Sequence, residues 1–387
     1  MLRTFRQKRP GFVSVMAVVA AVFLFVIGVG LLTLGFNRRL YSIRSNQQIA
    51  ARAAADYGLT KAVYAMNLRL NAAPSPLPAE NSVQVPGNDA TYSYAVTGSS
   101  GNYSVTASGT SGSITKTVIS GLRLKSAFEY AILTKNNLDI GSVSTVNCNG
   151  CGSIPLKIGT TNNPNADAQI TLKPNSTIEG DILLGQGGIP DLVIGSGATY
   201  GNIYAVATDY DLPMPTVPGY LSSATEQPGQ SNPTSITTGK YQSLSLGTKI
   251  TLPINGNVEL YITGDITLGN DANIIVAPNS KLTIYLEGEL EGKYGTGFTN
   301  DSHDPTQLTI YGLGSGAINI KNSDEFYGVI YAPDAYVHIY NSVKVQGSVI
   351  AKDYKQDNSA LFTYDARLRE ITDANLARYV PNHWREL

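Results

Sequence analysis

Hydrophobic positions change their period twice along this chain, and each change marks a new element. Residues 12–36 (FVSVMAVVAAVFLFVIGVGLLTLGF) are apolar with no charge among them. As a helix this stretch would run about 37 Å at 1.5 Å per residue, more than the ~30 Å of a hydrocarbon layer. It is expected to cross a membrane. Residues 37–70 contain no proline and are rich in Ala, Leu, Arg and Gln, so the helix is expected to continue as an amphipathic half. Its apolar stripe passes through Leu40, Ile43, Ala50, Ala54 and Tyr57, then Leu59, Val63, Met66 and Leu70. From Leu59 onward the stripe is expected to lie on the protein's own head. The Ala50–Ala54 stretch, small enough for another helix to approach, is the candidate contact with partner helices.

Proline then breaks the pattern. Residues 71–89 read as a linker, and from residue 90 the period becomes two. Alternating runs at 91–97, 103–108 and 114–124, joined by Gly/Ser turns, predict an antiparallel meander over 90–125. Residues 126–365 are short apolar strands punctuated by Gly and Asn. An apolar–spacer–Gly–spacer–Ile/Val element recurs around Gly180, Gly264, Gly328 and Gly347, with a looser copy at Gly201. The spacings approach multiples of 21, which points to a β-solenoid of the parallel β-helix kind; a jelly-roll or β-sandwich head is the alternative. Pro213, Pro215, Pro218, Pro228 and Pro233 suggest a long loop interrupting the coils. Residues 366–387, with Leu368, Ile371, Leu376 and Tyr379 near helical spacing, are expected to form a capping helix over an open solenoid end. The fold class is thus mainly β with one long N-terminal helix.

Alternation within the solenoid separates an inside from an outside. Tyr261, Tyr285, Tyr336 and Tyr340 fall on the outward set and are the candidate ligand-binding residues, with a surface glycan as the candidate ligand. The competing reading is that tyrosine is simply a good strand former that tolerates water.

Composition narrows the chemistry. The net charge is -1, from 28 Lys+Arg against 29 Asp+Glu, so nucleic acid is not an expected partner. Three histidines and two cysteines give little material for metal or nucleophilic catalysis, and no cofactor, metal or enzymatic activity is expected. Cys148 and Cys151 have redox-motif spacing, yet outside the cytoplasm they are more simply a short structural disulfide. Asn300, Asp301, His303 and Asp304 read either as a cation loop or as a plain turn. Glu259, Asp265 and Asp271 are the acids available for a glycan-cleaving pair, with nothing in the sequence to bring them together.

The residues before the membrane segment supply a resemblance. Arg3, Arg6, Lys8 and Arg9 lead to Pro10-Gly11-Phe12, a basic leader of 11 residues ending in Gly before an apolar residue. This resembles the class III leader of type IV pilins and pseudopilins (1–11). The resemblance implies cleavage between Gly11 and Phe12 by a prepilin peptidase and methylation of the new Phe12 amine. The stretch from Arg44 through Ala53-Ala54-Ala55-Asp56-Tyr57-Gly58 likewise resembles the N-terminal domain of PilX-type minor pilins. The fifth position after the cleavage point is Met16, where major pilins carry Glu, so the resemblance implies a minor or initiating subunit. The expected partners are other pilin or pseudopilin subunits and the lipid bilayer. The expected location is a bacterial inner membrane, with the N-terminus cytoplasmic and the head periplasmic or extracellular. Arg38, Arg39 and Arg44 on the far side leave the charge asymmetry small. Finally, Tyr327-Gly-Val-Ile-Tyr-Ala-Pro333 and Tyr364-Asp-Ala-Arg-Leu368 resemble a β-rich C-terminal domain of uncharacterised function that follows PilX-like N-termini.

Overall fold

The computed structural model describes residues 11–68, 76–99, 102–161, 170–185, 192–205, 212–321, 325–371 and 377–387. The leader residues 1–10 and residues 69–75 of the expected linker lie outside them. The chain divides into two units, one running up to Arg123 and including Tyr379–Leu387, the other Leu124–Arg378.

The first unit is built on one helix, α1, Gly11–Asn67, about 86 Å long at 1.5 Å per residue. From Val15 to Phe36 its large apolar side chains are exposed, and the helix is long and apolar enough to cross a membrane. Its second half packs on an antiparallel sheet of β1 (Ala79–Gln84), β2 (Thr91–Ser99), β3 (Asn102–Ser111) and β4 (Ile114–Ser126), in that order. Ala51, Ala54, Ala55, Leu59, Ala62 and Met66 are buried against Tyr92, Tyr94, Val96, Val105, Ala107, Val118 and Leu122.

Three expectations change here. The alanines assigned to partner helices are instead largely used within the unit, because β3 carries Gly109 where a Cβ would collide with the Ala51 carbonyl and the Ala55 amide. Only a glycine facing alanines lets helix and sheet approach this closely. The expected linker contains a strand, Ala79–Gln84, whose alternation is too weak to see because one side faces water. The expected capping helix at 366–387 is a 3-10 turn, Ala366–Glu370, followed by a strand, Ala377–Glu386, that forms the fifth strand of this sheet beside β4. Leu387 N–H donates to the Thr117 carbonyl, Glu386 pairs with Lys116 at 2.8 Å, and Arg52 lies 5.3 Å from the Trp384 ring centroid. The helical spacing in the tail was coincidental; strand propensity at Tyr379, Val380 and Trp384, plus an open sheet edge, won.

The second unit is a three-sided parallel β-helix, as expected, which excludes the sandwich alternative. Side A stacks Gly239–Tyr241, Asn257–Ile262, Lys281–Leu286, Leu308–Gly312, 329–332 and 348–351, then Ile132–Thr134, Leu156–Thr160, Gly180–Leu184 and Ile203–Ala205. Stacking order is therefore not chain order. The chain enters mid-stack, climbs to one end at Ile203–Ala205, resumes at the other end near residue 227, and returns to meet its own first coil. At this seam Val349 pairs with Ile132, Tyr354 with Leu138 and Phe362 with Val146.

The proline-rich loop is a strap joining the two ends. Leu212, Leu221 and Ile236 are buried in the solenoid core, and the Tyr331 hydroxyl donates to the Pro213 carbonyl at 2.8 Å. The repeat is real, but its phase differs from the sequence reading. Gly180 and Gly201 are neighbours at one corner, as are Gly328 and Gly347, whereas Gly264 sits at a different corner, past Ile262. Coils on side A advance by 19 to 26 residues because loops vary in length while strands keep register. A second corner, between sides B and C, is held by a left-handed residue in most coils: Lys249, Asp271, Gly295, Ser342, Ser359, Val143, Asn175 and Gly197.

Candidate functional site

Gly11 begins α1 in the structure, and Phe12 follows within the helix; the basic residues preceding them lie outside the described residues. Cys148 and Cys151 are bonded to each other, with Cα atoms 5.9 Å apart, in the loop after strand Thr145–Asn149. Arg369 Nη2 approaches Cys151 Sγ at 3.3 Å and donates to the carbonyls of Ile154 and Pro155.

The four candidate tyrosines do not form one wall. Tyr261 and Tyr285 stand on side A in a register row with Tyr311 and Tyr331. Tyr285 is buried, correcting its placement as an open ligand contact, and stacks on Tyr311 with ring centroids 5.0 Å apart. Tyr261 is half-buried; its hydroxyl donates to Glu287, and that bond together with burial pushes its pKa up to about 12. Tyr336 and Tyr340 stand on side B, flanking His338, whose ring is 3.9 Å from Tyr340. Around them the charges are mutually engaged. His338 Nε2 and Lys355 Nζ each lie 3.0 Å from Asp357, and Lys321 sits 4.5 Å over the Tyr340 ring while pairing with Glu291 at 2.7 Å. Burial would raise the Asp357 carboxyl, but His338 and Lys355 hold it below the usual carboxylate range.

The possible cation loop is a closed turn. Asn300 Oδ1 accepts from the Ser302 hydroxyl at 2.7 Å, and Asp304 Oδ1 accepts from the Thr306 amide at 3.0 Å. Among the described residues no three His, Cys, Asp or Glu side chains are grouped to hold a metal. Glu259 accepts from the Tyr220 hydroxyl and Asp265 from the Glu289 amide, so these acids serve separate structural bonds.

The motif residues prove to be structural. Tyr364, fully buried, donates to the Phe128 carbonyl at 2.6 Å across the seam, and Asp365 accepts from Arg367 Nη2 at 2.7 Å. Tyr331 anchors the strap as described above. One feature had no clear sequence signal: a cavity of about 410 Å³ on side C, lined by Thr299, Asn300, His303, Glu325, Tyr327, Ser342 and Lys344. Its residues come from four separate stretches of chain, and only His303 and Asn300 had drawn notice.

Residues 215–371, less than half of the chain, match a family model described as "Domain of unknown function (DUF7305)". No curated protein matches at the same stringency. Among solved structures, the chain is similar to the competence-associated pilin ComZ from Thermus thermophilus. That alignment has 12% identity, covers 88% of this chain and 97% of that one, and has a TM-score of 0.27. It is also similar to an ice-binding protein from the Antarctic ascomycete Antarctomyces psychrotrophicus, at 12% identity over 61% of this chain and 95% of that one, TM-score 0.25. An ice-binding protein from an Arctic yeast aligns at 14% identity over 62% and 91%, TM-score 0.28. Likeness at these scores decides nothing about what the chain does.

Proposed function

We propose that this chain is a minor pilin or pseudopilin-like structural subunit of a type IV pilus or related filament. In this reading a prepilin peptidase cuts between Gly11 and Phe12, the Phe12 amine is methylated, and the apolar half of α1 holds the subunit in a bacterial inner membrane. The N-terminus is cytoplasmic and the β-helix is carried outside the membrane. The role is structural rather than catalytic.

The observation that supports the reading is α1 itself. One unbroken helix leaves its apolar N-terminal half exposed and lays its second half on a small antiparallel sheet. An uncovered apolar surface of that size needs a bilayer or neighbouring helices to cover it. The β-helix is inserted between β4 and the fifth strand, so both of its chain ends return to the helix-bearing sheet.

Intact mass and N-terminal sequencing of the protein from membranes and from sheared filaments test this. A chain starting at methylated Phe12 in both fractions is expected. Removal of the same 11 residues from a Gly11→Ala variant, or a chain that keeps Met1, overturns it. The competing reading, a permanently anchored surface module that binds glycan, predicts an intact leader and absence from filaments.

A further inference from the structure

We infer that the side C cavity is a binding site for one neutral hexopyranose ring, carried at the end of a glycan. Its volume, about 410 Å³, falls in the range of small-ligand sites. Its lining combines an aromatic surface with a balanced set of polar groups. The His303 ring lies 4.6 Å from the Tyr327 ring, tilted by 33°, and offers a broken aromatic face to the cavity. Such a face takes the C–H side of a sugar ring, as aromatic side chains take other weakly polar surfaces.

The polar groups select against charge. Glu325 and Lys344 are the charged side chains of fixed sign in the lining, and they are paired with each other at 3.1 Å. An anionic ligand would meet Glu325, and a cationic one would meet Lys344. A neutral ligand with adjacent hydroxyls can donate to the carboxylate and accept from the ammonium at once. Both partners are substantially exposed, so their mutual attraction is screened and readily shared with a ligand. The Thr299 and Ser342 hydroxyls extend the same donor and acceptor character along the rim.

The site is also held in place. Asn300, almost fully buried, donates to the carbonyls of Asp304 and Tyr327 at 2.8 and 3.1 Å, fastening the His303 turn to the Tyr327 strand. The Tyr327 hydroxyl donates to Glu325, which aligns the carboxylate toward the Lys344 ammonium. Binding would therefore order few side chains, which keeps the entropic cost low. The inference does not rest on the pilin reading; a chain that keeps Met1 would leave it intact.

The test is saturation-transfer NMR on the full chain in amine-oxide micelles, which carry no sugar. The probes are glucose, galactose and mannose with their methyl glycosides, plus glucuronate and inorganic phosphate as charged controls. Transfer to the ring protons of at least one methyl glycoside is expected. Binding is expected to weaken at least tenfold in Tyr327→Ala and in Glu325→Gln, and to be unchanged in Tyr336→Ala on side B. The conservative Glu325→Gln variant guards against a folding defect in Tyr327→Ala. No transfer to any neutral glycoside overturns the inference. So does binding of reducing sugars alone, equal binding of glucuronate or phosphate, or binding that survives both side C variants.

Discussion

The two units solve the same problem, burying a β surface, in opposite ways. In the helix–sheet unit, β1 to β4 pair in chain order and antiparallel, and the chain's last strand adds the only long-range pairing among the described strands of this sheet. Short turns set that register locally. In the β-helix every pairing is parallel, and the stack starts in the middle of the chain's path, so the last coil closes on the first. Parallel coils cannot be set by a turn; each is held only by its neighbours and by what spans them. The helix–sheet unit should thus respond to local crowding, and the β-helix to loss of its seam and strap.

The strongest way to separate them is Gly109→Val. The new side chain meets the Ala51 carbonyl and the Ala54 methyl with nowhere to go. A loss of about 3 kcal/mol or more is expected for the helix–sheet unit. Trp384, the chain's single tryptophan, lies in that unit, so its fluorescence should unfold early in urea while the tyrosine signal of the β-helix does not.

The seam comes next. Burial would raise the Asp365 carboxyl, but the Arg367 side chain and amide, with Gln346, hold it below the ordinary carboxylate value. A depressed folded-state pKa contributes stability above the unfolded value of about 3.9, and that stability is lost as pH falls below it toward the folded value. Asp365→Asn should cost about 2 kcal/mol at neutral pH, since bonds to a charged group are lost. It should also flatten the acid-side decline in β-helix stability seen in urea midpoints taken from pH 5 downward. An unchanged decline would place the acid sensitivity elsewhere.

The strap is a smaller lever. Tyr331→Phe removes the bond to the Pro213 carbonyl and should cost about 1 kcal/mol. Faster proteolysis within 212–238 is the expected sign, and unchanged cleavage would mean that apolar burial alone holds the strap. The smallest effect runs the other way. Val143 occupies a left-handed corner at φ 58, where its branched side chain is strained and other coils use Asn175 or Gly197. Val143→Asn should stabilise the β-helix by about 1 kcal/mol, seen as a raised thermal midpoint.

Much of this architecture was legible from the sequence. An uncharged run at 12–36 and a proline-free continuation gave the long helix, because helix length and hydrophobicity are properties of contiguous residues. Alternation between Gly/Ser turns gave β2 to β4, and repeated apolar–Gly elements gave the β-helix. The glycine phase was misread at Gly264 because coil lengths vary, which no fixed period can express. The outward tyrosines were legible as outward, yet Tyr285 is covered because residues 212–238, distant in sequence, fold back over the β-helix.

The sequence by itself determined which residues form helix, which form strands, and which face of each strand is apolar, since these follow from neighbours one to four positions away. Only the tertiary structure decided the stacking order of the coils, the return of 377–386 to the first sheet, and the meeting of His303, Glu325, Tyr327 and Lys344 in one cavity. Parallel pairing joins residues a whole coil or more apart, and nothing local to any one of them records which partner it will find.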